Sequence, residues 1–152
     1  MRRINDLKSH HLLTFIIVNN GSTDNTKDIL SSYKNYENVE IIEVPKNKGY
    51  GYGILSGLKK ANTEYIGWTH ADLQTNPKDS LLAVDLISTH KDMFIKGKRR
   101  GRPILDTFFT IGMSLFETIL LKTRLWDINA QPTIFPRKFF NDWIDPPYDF
   151  SL

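Results

Sequence analysis

Glu64-Tyr65-Ile66-Gly67-Trp68-Thr69-His70-Ala71-Asp72-Leu73-Gln74 carries an apolar strand straight into two polar, metal-capable side chains at i and i+2. In an extended backbone alternate side chains share a face, so His70 and Asp72 project together from the carboxyl end of that strand. Thr75-Asn76-Pro77 follows. A carboxylate and an imidazole at this place could hold a divalent cation and a phosphorylated ligand where open α/β sheets bind them. The stretch predicts an α/β fold and nucleotide-dependent chemistry.

On its amino-terminal side, residues 12–18 are a continuous apolar, β-branched run, the pattern of a strand buried on both faces, stopping at the turn Asn19-Asn20-Gly21. Ser22, Thr23 and Asp24 are each able to cap a helix reaching about residue 34, with Ile29 and Leu30 on its buried side. Residues 39–44 read as a second strand closed by Pro45, and the glycine-rich loop 46–53 leads into a helix carrying Ile54, Leu55 and Leu58. On the carboxyl side Pro77 opens a helix to about residue 89, and 93–95 supply a fourth strand. This alternation predicts a largely parallel sheet with right-handed crossovers. A long helix over about 105–122 follows, then a mixed segment with Gln131-Pro132, Pro136 and Pro146-Pro147.

A chain of 152 residues fits one domain, over 1–152, able to bury roughly 70% of its unfolded surface. Hydrophobic residues at 40% and charged residues at 24% exclude wholesale disorder and fibrous repeats. With no cysteine, a metal must be held by oxygen or imidazole. The net charge of +3 is unevenly spread: Lys96, Lys98, Arg99, Arg100 and Arg102 cluster without an acid and suit an anionic partner. No apolar run reaches the roughly 18 residues of a membrane span, which predicts a soluble or peripheral protein.

Three segments occur in order: Phe15-Ile16-Ile17-Val18-Asn19-Asn20-Gly21-Ser22-Thr23-Asp24-Asn25-Thr26, Asn47-Lys48-Gly49-Tyr50-Gly51, and Trp68-Thr69-His70-Ala71-Asp72-Leu73-Gln74. Together they resemble family 2 glycosyltransferases of the GT-A fold, a Rossmann-like, mostly parallel sheet flanked by helices, and especially the polyprenyl- and dolichyl-phosphate sugar synthase branch. The resemblance covers about residues 13–150. It implies an inverting, metal-dependent transfer of a sugar from a UDP- or GDP-linked donor to an acceptor, a polyprenyl phosphate or a cell-surface glycan precursor. It also implies a cytoplasmic location, peripheral at a membrane face, with homo-oligomerisation open and no role for nucleic acid.

The same resemblance assigns roles. Asn20, Gly21, Ser22 and Asp24 would grip base and ribose; their other reading is a turn and helix cap. Lys48 and Gly49 would serve the nucleotide end of the donor, against a loop with a solvated lysine. Asp72 matches the second acid of the aspartate-x-aspartate motif and would ligate Mg²⁺ or Mn²⁺ bridging the two phosphates. His70 stands where the first acid is usual; it would join the metal, favouring Mn²⁺, or hydrogen-bond sugar hydroxyls. Gln74 would position donor or acceptor phosphate, or cap the helix near Pro77.

In Gly97-Lys98-Arg99, Arg99 aligns with a glycine-x-arginine pattern facing anionic groups, with Arg102 beside it; the rival reading is a solvated charge run. Asp127-Ile128-Asn129-Ala130-Gln131-Pro132 resembles the segment closing over the acceptor side. Asp149 is placed as general base toward an acceptor hydroxyl, a role an ionised lipid phosphate would not need. Phe108, Phe109, Met113, Phe116 and Leu120, widened by Ile111, Leu115 and Ile119, predict core or dimer packing of the long helix, with membrane contact as the alternative. Nothing before Leu12 resembles the family's first strand, and both ends read as shortened, so the alternative function is a non-catalytic nucleotide-sugar-binding remnant or partner subunit. A basic nucleic-acid-binding module, resting only on residues 96–102, ranks last.

Overall fold

The computed structural model describes residues 13–72, 75–76, 78–90, 92–98, 104–122 and 130–149. β1 (Phe15–Asn20) and β2 (Val39–Val44) pair in parallel, with Phe15 opposite Val39 and Asn20 opposite Val44. α1 (Thr26–Ser31) connects them. α2 (Tyr50–Lys60) leads to β3 (Tyr65–Trp68), and α3 (Asp79–Thr89) to β4 (Ile95–Lys96). α4 (Ile104–Leu121), β5 (Thr133–Pro136) and α5 (Arg137–Asn141) complete the order.

The sheet is in two pieces. β5 lies between β3 and β4 and is antiparallel to both, so β3 and β4 run the same way. Among the described residues β1 pairs with β2 and β3 with β5, and no ladder joins β1 to β3. α2 bridges the pieces. A Cβ built on its Gly57 would lie 3.2 Å from Val18 of β1, while Leu58 packs with Ile66 of β3. The mixed α/β architecture agrees with the GT-A expectation, and the antiparallel β5 falls in a segment whose sequence read only as mixed.

The main core surrounds β5, whose alternate side chains face opposite layers. Phe135, fully buried, packs with Leu58 and Ile66 and against Trp68, Phe140 and Trp143. Ile134 points the other way, onto Ala83 and Ile87 of α3. The Phe135 ring stacks on Phe94 at 4.9 Å and meets Trp68 edge-on at 5.9 Å.

Several expectations are corrected. β1 starts at Phe15 and runs through Asn19 and Asn20, because both asparagines continue the ladder to Val44. Its apolar residues 15–18 are only half-buried. α1 ends at Ser31; Leu30 is buried but Ile29 is 42% exposed, a single turn and a half having only one face against β-structure. The fourth strand is Ile95–Lys96 rather than 93–95. Core packing of α4 is not found among its described side chains: Phe108 is 73% exposed, Phe109, Phe116, Ile119 and Leu120 are also exposed, and Ser114 is the buried one among them.

Candidate active site

The carboxyl ends of β1 and β3 meet at the start of α2. At β1, the buried Asn19 donates from Nδ2 to Glu43 at 2.9 Å and accepts the Ser22 N–H at 3.1 Å, which closes the turn onto the strand pair. Asn20 Nδ2 donates to the Gly49 carbonyl at 2.8 Å and, more weakly, to Asn47 Oδ1 at 3.4 Å. Asn47 Oδ1 also accepts the Gly49 N–H at 2.9 Å. Two loops are thereby locked together. Gly21 is required between them: its φ is +72°, and a Cβ there would fall 2.1 Å from the Asn47 nitrogen. Asp24 accepts from Thr26 N at 3.1 Å and Thr26 Oγ1 at 2.6 Å, which hold its carboxyl below the usual range, so its side chain serves the helix start.

Lys48 is exposed, with Nζ 4.7 Å from the centre of the Tyr52 ring. The 148–149 segment docks on the same loop: Gly51 N–H donates to the Asp149 carbonyl at 3.0 Å and Tyr52 N–H to that of Tyr148 at 2.7 Å. Gly51 permits this approach, because a Cβ would lie 2.6 Å from the Asp149 oxygen. Asp149 is therefore brought beside Gly49, although it is distant in sequence.

At β3, the Thr69 and Thr75 hydroxyls meet at 2.9 Å and pinch the loop that carries His70 and Asp72. Asn76 Oδ1 accepts Lys78 N–H at 3.2 Å in the turn that leads into α3, and the capping role read for Gln74 lies outside the described residues. Asp72 is exposed and His70 half-buried. The imidazole lies 5.4 Å from the Tyr50 ring, tilted by 33°. Burial pushes the Tyr50 phenol above its usual range, hydrogen bonds from Trp68 and Gln131 oppose that, and the nearby Asp72 carboxylate adds to it. Tyr50 thus links the two halves: its chain neighbour Gly49 is held by Asn20, and its ring lies beside that of His70.

Tyr50 and Gln131 are the contributors that residue-by-residue reading missed as functional positions. Tyr50 was visible only as the aromatic after the glycine turn, and Gln131 only within Asp127–Pro132. Gln131 Nε2 donates to the Tyr50 hydroxyl at 2.7 Å. Gln74, Arg99, Arg102 and Asp127 lie outside the described residues.

As for a metal, among the described residues no three His, Asp or Glu side chains cluster. The donor set is one exposed carboxylate and one imidazole. It fits an ion that takes one or two protein ligands and completes its shell with phosphate oxygens and water, as Mg²⁺ and Mn²⁺ do in nucleotide sites. It does not make a self-sufficient cage.

Comparison with known proteins agrees with this geometry. Residues 2–142 match the family model "Glycosyl transferase family 2", and the chain belongs to that family. A poly-beta-1,6-N-acetyl-D-glucosamine synthase of Staphylococcus epidermidis is 33% identical over 57 residues, which are 38% of this chain and 14% of that protein. A dolichyl-phosphate beta-glucosyltransferase of Trichomonas vaginalis is 32% identical over 108 residues, 64% of this chain and 33% of that protein. The chain thus matches a third or less of the length of these curated relatives. The crystal structure of S. aureus TarS superposes with a TM-score of 0.58 at 22% identity, covering 91% of this chain and 43% of that one, a likeness of fold.

Proposed function

We propose that this chain, as one domain over 1–152, transfers a sugar from a nucleoside diphosphate sugar, UDP- or GDP-linked, to an acceptor with inversion at the anomeric carbon. The observation that carries this reading is the meeting at Tyr50 of the Asn20–Gly49 corner with the His70–Asp72 loop. A flat base and ribose suit the corner of Asn20, Gly21, Ser22 and Asp24; the diphosphate then lies toward Lys48 and Asp72. Asp72, with His70, would hold a divalent ion, which supplies Lewis-acid neutralisation of charge on the departing diphosphate.

In the reaction the acceptor oxygen forms its bond to the anomeric carbon from the side opposite the diphosphate, and the bond to the phosphate oxygen breaks. Where the acceptor is a hydroxyl, Asp149, docked beside Gly49, takes its proton; where it is a lipid phosphate, the oxygen is already ionised. The named activities of the two curated relatives support a lipid phosphate or a growing cell-surface glycan as acceptor. Gln74, Arg99, Arg102 and Asp127 remain assigned to phosphate and acceptor by the family pattern alone.

A peripheral membrane contact belongs to this reading. No helix among the described residues is long and apolar enough to cross a bilayer. Yet α4 exposes Phe108, Phe109 and Phe116, with Lys96 and Lys98 before it and Lys122 after it, a combination that suits an anionic bilayer surface. Co-sedimentation with anionic but not neutral vesicles is expected, and its loss in Phe108→Asp/Phe116→Asp; equal sedimentation of that variant contradicts the contact.

The test of transfer is nucleoside diphosphate release from UDP- and GDP-sugars with Mn²⁺ or Mg²⁺ and a polyprenyl phosphate. Release abolished by chelator supports it, and turnover undiminished in excess chelator refutes the metal role. A second reading, a binder without turnover, is motivated by the want of a ladder between β1 and β3 among the described residues. Nucleotide binding without any release selects that reading.

A further inference from the structure

Gln131 is 93% buried, at 7% residual exposure, in a strand entry that the main core surrounds. Its Nε2 is spent on the Tyr50 hydroxyl at 2.7 Å, and its Oε1 is buried with no hydrogen-bond partner. A buried, half-satisfied amide is costly, whereas an apolar side chain of the same shape would leave nothing orphaned. Stability therefore does not explain a glutamine at this position. The backbone around it is held as well: Gly97 N–H donates to the Pro132 carbonyl at 2.8 Å, pinning β4 to the residue after Gln131. Tyr50, which receives the amide, is the residue whose ring lies 5.4 Å from His70 and whose hydroxyl feels Asp72.

We infer that Gln131 is a positioning residue for the donor site: its amide fixes the Tyr50 hydroxyl, and the Tyr50 ring fixes the His70 imidazole beside Asp72. The inference rests on the donor-site reading of His70 and Asp72 above. It makes the antiparallel β5, which lies between β3 and β4, part of the active site through 81 residues of sequence separation. Gln131 acts through Tyr50. Removing such a support around a metal or phosphate site lowers affinity or activity by roughly 10- to 100-fold.

The test compares Gln131→Met, which keeps length and removes both amide atoms, with Tyr50→Phe and the double variant. Expected for Gln131→Met are a melting temperature equal to or above wild type, shifted His70 imidazole resonances, and nucleoside diphosphate affinity with Mn²⁺ weakened about tenfold or more. Tyr50→Phe should weaken binding alike, and the double variant should be no worse than either single one. A lowered melting temperature with unchanged His70 resonances and unchanged affinity in both single variants overturns the inference, leaving Gln131 only a packing role. Wild type that binds no nucleoside diphosphate, with His70 still shifting in Gln131→Met, overturns instead the donor-site reading beneath it.

Discussion

The two halves that meet at Tyr50 are held by different forces. The β3–β5–β4 half is built on burial: Phe135 and Ile134 fill opposite faces of β5, and aromatic rings from three other segments close around Phe135. The β1–β2 half has half-buried apolar residues along β1, and its carboxyl end is fixed by polar contacts from Asn19, Asn20 and Asn47. Burial is non-directional and contributes several kcal/mol per large side chain, while each net hydrogen bond contributes about 1 kcal/mol. The His70–Asp72 loop is thus anchored on the half built on burial and the Asn20–Gly49 corner on the half held by polar contacts.

The contrast is sharpest in stability. Phe135→Ala should cost about 3–5 kcal/mol, because it removes a fully buried ring and leaves a cavity among packed neighbours. Denaturant melts with an unchanged m-value would measure it. Gly21→Ala comes next: the φ of +72° and the contact of 2.1 Å with Asn47 require the two loops to separate, at a cost of roughly 1–3 kcal/mol. Nucleotide affinity should fall with it, while the near-ultraviolet signal of the Trp68 and Trp143 environment stays native. Ile17→Ala, in half-buried β1, should cost only about 1 kcal/mol. If Ile17→Ala proves as damaging as Phe135→Ala, the two halves are not different in kind.

Much of this architecture is legible in the sequence. The order of strands and helices follows from apolar runs broken at Asn20-Gly21, Pro45 and Pro77, whereas β3 ends at Trp68, so His70 and Asp72 lie in the loop beyond the alternation that paired them in the sequence. What was not legible has physical causes. A run such as residues 15–18 reports hydrophobicity, and burial on both faces also requires elements packed above and below the sheet. The stripe on α4 reports that the helix needs cover, which a sequence pattern cannot assign, and among the described residues that stripe is exposed. β5 is four residues, Thr133–Pro136, entered through Gln131-Pro132 and closed by a proline, so neither length nor alternation announces a strand. The partnership of Gln131 with Tyr50 depends on that strand and was hidden with it.

The claim on which the account stands is that Asp72 joins a divalent ion to a diphosphate held at the Asn20 corner. Calorimetry of UDP and GDP binding with and without Mn²⁺, in wild type and in Asp72→Ala, tests it most directly. The account predicts metal-dependent binding to the wild-type chain and its loss, by at least about tenfold, in Asp72→Ala. Equal affinity in the two proteins, or binding indifferent to Mn²⁺, would contradict it.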